Sequence, residues 1–142
     1  MPTPSEFQLH RAHYQWCVGW PDKDGNPTKP PALLPGVMCW HNSGNGKREK
    51  GGGLEGKWLS ELGLTAGLHD LFYLRPTDFG QYGVFGLLYG MEWKKPGGAL
   101  SKAQTIMHPR LMAAGMAASV VVDNSADARA WCALHKLTRP DA

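Results

Sequence analysis

The chain has 142 residues and a formal net charge of only +3, enough length for one domain with a modest core and too little charge to imply a nucleic-acid partner by itself. No run of about 18 apolar residues occurs, which argues against a membrane helix, and the opening MPTPSEFQLH lacks the basic-then-apolar pattern of a secretory signal. Cys17, Cys39 and Cys132 are odd in number, widely spaced and without a CxxC pair, a pattern that suits a reducing cytoplasm and not a disulfide framework or a structural zinc site.

Residues 5–18 read as a first helix, with Leu9, Ala12 or His13, and Trp16 at helical spacing. Two start signals overlap, Thr3 with Pro4 and Glu6, and Ser5 with Gln8, and each fits a capping box. His10 and His13 are read as partly exposed helix residues. Residues 19–36 carry five prolines and form an irregular connection, and 37–41 is a short strand. The glycine-rich stretch 42–53 reads as a surface loop that holds Lys47, Arg48 and Lys50, and 54–62 as a short helix stopped by Gly63.

A strand is expected over 69–74, a turn over 75–81, and a long second strand within 82–95 that stops at Pro96-Gly97-Gly98. Ser101 caps a helix that reaches about residue 114 and is bent or split by Pro109; 119–122 is a β-branched strand, and 125–137 a final helix. The order helix, strand, helix, strand, strand, helix, strand, helix predicts one α/β domain over 1–142, with a small mixed central sheet flanked by helices and a core at about 5–135.

Side chains alternate along a strand, so Leu87, Tyr89, Met91 and Trp93 form one apolar face while Leu88, Gly90, Glu92 and Lys94 share the other. Gly90 would leave room there for a ligand. If the two strands make an antiparallel hairpin, Asp70 lies beside Glu92. Two carboxylates and a lysine then converge. Hard oxygen donors of this kind suit Mg²⁺ or Mn²⁺; phosphodiester hydrolysis needs a nucleophilic water and a stabilised negative charge, which a divalent cation can supply with a lysine beside it to position the water. Taken alone, Glu-x-Lys is far more often a surface ion pair than a catalytic pair.

The order of these pieces resembles the VRR-NUC branch of the PD-(D/E)XK nuclease superfamily. Gly67-Leu68-His69-Asp70, Glu92-Trp93-Lys94 and Ser101-Lys102-Ala103-Gln104 match the family's Gly-x-x-Asp step, its Glu-x-Lys strand end and its Ser-x-x-Gln helix start; the valine-rich strand at 119–122 follows as in the family. The resemblance implies a PD-(D/E)XK core. Asp70 and Glu92 would be the metal ligands, with the Trp93 backbone carbonyl completing the site, Lys94 the catalytic lysine, and Gln104 the helix glutamine near the scissile phosphate. Glu6 matches the family's early acidic residue and would hold the metal or its water shell; the same residue fits a capping box. His41, Asn42, Lys47, Arg48, Lys50 and Lys95 would contact DNA.

The implied activity is metal-dependent endonucleolytic hydrolysis of DNA, selective for branched or Holliday-junction DNA, by a cytoplasmic homodimer. The alternative is a nuclease-fold module that binds DNA or assembles with little cleavage. The chain departs from the family at His69, at the long 75–83 turn, in the long Pro21–Pro35 segment, and at Pro109 inside the glutamine helix.

Overall fold

A computed structural model of the protein describes residues 3–42 and 65–142. The expected helix at 54–62 and the basic residues Lys47, Arg48 and Lys50 lie outside them.

The first helix, α1 (Glu6–Val18), starts from the second of the two candidate boxes: the Ser5 hydroxyl accepts the Gln8 N–H, and the Gln8 side-chain carbonyl accepts the Ser5 N–H. Together these satisfy two helix-start donors. The proline-rich segment that follows is irregular apart from isolated bridges, Pro21 with Pro27 and Leu33 with Thr138. Four strands, β1 (Met38–His41), β2 (Leu71–Asp78), β3 (Val84–Trp93) and β4 (Ala118–Val122), form one sheet in that spatial order. The β1–β2 and β2–β3 pairs are antiparallel, and β3–β4 is parallel. A parallel pair needs a crossover, supplied here by α2 (Lys102–Ala113). The last helix, α3 (Ser125–Leu134), begins at Asn124, whose side-chain oxygen accepts the Asp127 N–H. Among the described residues the protein is therefore a mixed α/β fold of three helices and a four-stranded mixed sheet.

The hairpin differs from expectation. β2 runs on to Asp78 and includes Pro76, and the reversal falls at a 3₁₀ turn, Gly80–Tyr82. The reason is positional. β1 pairs only as far as Leu74, so beyond it β2 is an edge strand, where proline is tolerated. Pro109 likewise does not split α2, which is continuous.

The apolar face of β3 is as the alternation predicts. Tyr89, Met91 and Trp93 are buried and Leu87 packs beside them, joined from β2 by Leu71 and Tyr73. Trp16 and Cys17 of α1 and Ala128 and Cys132 of α3 cover this face. Burying a side chain such as Leu71 or Met91 contributes about 1.5–3 kcal/mol. His13 corrects the sequence reading. It is buried, 1% exposed, and its Nε2 lies 2.6 Å from the Tyr73 hydroxyl, so the cost of burying its polar edge is offset by a hydrogen bond. Cys17 and Cys132 lie 3.5 and 3.8 Å from the same nitrogen. Burial pushes both thiols well above their ordinary range, which leaves them unreactive.

Candidate active site

The β2–β3 register pairs Leu71 with Met91. One step further sets Asp70 opposite Glu92, at the end of the hairpin away from the turn. Asp70 stands one residue ahead of β2 and is held at both ends. Its carboxylate Oδ2 accepts the Trp93 N–H at 2.8 Å. Its backbone carbonyl accepts the Asn42 N–H at 2.9 Å and the His41 Nδ1–H at 3.1 Å. His41 and Asn42, expected only as DNA contacts, therefore also fix the backbone of Asp70. The loop before it is pinned as well. Gly67 has φ +84°, and a side chain there would strike the Ala103 carbonyl at the start of α2. Only glycine fits such a position without strain.

Glu92 is 2% exposed. Its Oε1 accepts the Gln104 side-chain N–H at 2.6 Å and stands 3.4 Å from the Lys94 ammonium. Gln104 does two jobs at once. Its side-chain oxygen accepts the Ser101 N–H in the α2 capping box, and this orients its amide nitrogen toward Glu92. Glu92 Oε2 is buried without a hydrogen-bond partner among the described residues. Burial first, then the nearby Asp70 carboxylate, push the Glu92 carboxyl up to about 8; Lys94 and the Gln104 hydrogen bond oppose the shift and are outweighed.

The space expected beside Gly90 is filled. His69, fully buried, lies against Gly90 so closely that a Cβ there would be 2.7 Å from the ring. Its Nε2 meets the Ser119 hydroxyl at 2.6 Å, and the ring stacks on His108 of α2 at a centroid distance of 3.7 Å. Burial, aided by His108, pulls the His69 imidazole down to about 4, so it is neutral at pH 7. Gly90 thus makes room for a histidine, not for a ligand. The signal available in the sequence was the departure at His69 itself.

Open space lies instead on the α1 side of Asp70. A cleft of about 940 Å³ is walled by the outer face of α1 together with His41, Asp70, Trp93 and Lys95. Trp93 lies in this wall although the residue is fully buried. Glu6, half-buried, lines the same cleft. Among the described residues no group of three or more His, Cys, Asp or Glu side chains stands close enough to hold a metal ion, so Glu6 shares the cleft without completing a three-side-chain ligand set. Lys95 is exposed beside it. No helix among the described residues is long and apolar enough to cross a membrane.

No family model matches the chain, and no curated protein or solved structure matches it.

Proposed function

We propose that the protein is a metal-dependent nuclease of the PD-(D/E)XK kind, hydrolysing DNA phosphodiester bonds with Mg²⁺ or Mn²⁺. One observation carries this reading: the Asp70 carboxylate is anchored on the Trp93 N–H at 2.8 Å, at the end of the strand where Glu92 holds Lys94 at 3.4 Å and Gln104 at 2.6 Å. A solvated surface ion pair does not fit, because Glu92 is buried.

The donor set suits a hard divalent cation. Two carboxylates share a poorly solvated corner, and Glu92 Oε2 is buried without a hydrogen-bond partner among the described residues. Asp70 and Glu92 would hold the ion, with the Trp93 carbonyl and water as further oxygen donors. When bound, the cation would lower the pKa of a water and neutralise phosphate charge. Lys94 can donate to the attacking water or to a phosphate oxygen. Gln104 keeps the Glu92 carboxylate turned toward Asp70 through its hydrogen bond to Oε1. Such supporting contacts typically alter metal affinity or activity 10–100-fold. The VRR-NUC resemblance extends the reading to branched DNA cut by a two-fold dimer in the cytoplasm, where paired sites would act on opposing strands.

The test is cleavage of four-way junction, flap, duplex and single-stranded DNA in Mg²⁺, Mn²⁺ or EDTA, with Asp70→Ala and Lys94→Ala run beside the wild type. Metal-dependent cutting by the wild type, reduced about 100-fold or more in each variant, supports the enzyme. Cutting that survives both substitutions sinks the assignment. Binding without cutting by the wild type supports the second reading, a DNA-binding module. Sedimentation showing only a monomer with junction DNA removes the dimer.

A further inference from the structure

We infer that the cleft beside Asp70 holds an unpaired nucleotide of the substrate strand, so that the protein selects DNA with a single-stranded or extruded base next to the scissile phosphate; this rests on the nuclease reading above. α1 has two faces. His13, Trp16 and Cys17 enter the core. Phe7, His10, Arg11 and Tyr14, spaced i, i+3, i+4 and i+7, form a second stripe, and all four line the cleft. Phe7 is 72% exposed, an aromatic ring turned to solvent.

The rings lining the cleft favour a flat ligand. The His10 ring lies 4.9 Å from that of His41, and burial holds the His10 imidazole below its ordinary range. The Asp70 carbonyl accepts from His41 Nδ1. A carbonyl cannot donate, so that nitrogen carries the proton and the ring is held in place by the bond. Aromatic faces with a few polar groups are how proteins stack nucleobases without reading sequence. The volume, about 940 Å³, lies within the roughly 300–1,000 Å³ typical of small-ligand clefts.

Charge fixes which ligand this is. Arg11 and Lys95 flank the cleft and are exposed, placed to meet phosphates on either side of a nucleotide. Asp70 forms part of the wall, so a base held there would bring its own backbone phosphate toward Asp70. A base in intact duplex is stacked and paired and does not reach such a cleft unless it is flipped out.

The experiment is an anisotropy titration of fluorescein-labelled single-stranded DNA, and of duplex of the same length, in Ca²⁺ and separately in EDTA. The proteins are the wild type, Phe7→Ala and Phe7→Trp. Phe7 is surface-exposed and outside the carboxylate site, so these variants fold. The expected result is that Phe7→Ala weakens single-strand binding about tenfold and leaves duplex binding unchanged, while Phe7→Trp keeps the wild-type preference. An equal effect on both DNAs, no effect on either, or no single-strand binding by the wild type overturns the inference. The nuclease reading fails separately. A wild type that cuts with Mg²⁺ but ignores Phe7→Ala overturns only the cleft, and one that binds single strands through Phe7 yet never cuts overturns only the chemistry.

Discussion

The Gln104 side-chain amide donates to Glu92 Oε1 at 2.6 Å while its own oxygen accepts the Ser101 N–H at 2.9 Å. One side chain therefore starts a helix and aims a buried carboxyl. The hydrogen bond favours the charged form of Glu92, so Gln104→Ala should raise that carboxyl further. We expect activity to fall about 10–100-fold and its rising pH limb to move to higher pH, with about 1 kcal/mol of stability lost from the capping box. A drop in activity with an unmoved pH limb would mean that Gln104 only caps the helix.

Glu92 makes the metal-free fold pH-dependent. Its carboxyl is pushed from the ordinary 4.5 up to about 8, so between these values the folded state keeps a proton that the unfolded state has released. Its contribution to stability is fully present below about pH 4.5 and is lost as pH rises through about 8. Glu92→Gln should remove this slope and, near pH 8, stabilise the metal-free protein by about 2 kcal/mol; the full shift is not recovered because the amide forfeits the pairing with Lys94. Urea unfolding at several pH values checks this.

A cation held by Glu92 must displace the same proton. Mg²⁺ or Mn²⁺ affinity should therefore climb about tenfold per pH unit up to about 8, where Glu92 ionises, and then level off. Calorimetric titration in buffers of different protonation enthalpy should also show about one proton released per ion near pH 7. Affinity that stays flat across this range would show that Glu92 is not a ligand.

His69 has the opposite sign. Its imidazole is pulled from 6.5 down to about 4, so stability from this group is present above pH 6.5 and is lost as pH falls through about 4. The wild type should lose stability between these values, and His69→Asn should flatten that loss. Equal acid sensitivity in both proteins would place its origin elsewhere.

Gly90 and His69 are a steric pair. Gly90→Ala would place a methyl 2.7 Å from the ring, an overpacking expected to cost about 1–3 kcal/mol. Adding His69→Ala should make the alanine at position 90 nearly free. Strictly additive losses in the double-mutant cycle would show that the contact is not the cause.

Much of the site was legible in the chain because strands report their geometry in short repeats. Period-two alternation in β3 separated Trp93 from Glu92 and Lys94, and an antiparallel hairpin ending in Pro96-Gly97-Gly98 brought Asp70 to Glu92. Ser101 and Gln104 named the start of α2 at the correct residue. The same local rules misjudged Pro76, because whether a strand tolerates proline depends on how far its neighbour pairs, and the pairing of β1 with β2 stops at Leu74.

The sequence by itself determined which residues share a face and where the helices begin, since both follow from contacts between residues a few positions apart. Only the tertiary structure decided what covers each face. His69 fills the gap at Gly90, His13 is drawn to Tyr73 in the core, and α1 is set so that its outer stripe walls a cleft ending at Asp70. These partners are separated by many residues along the chain. Their meeting depends on how the layers pack, and no local period records that.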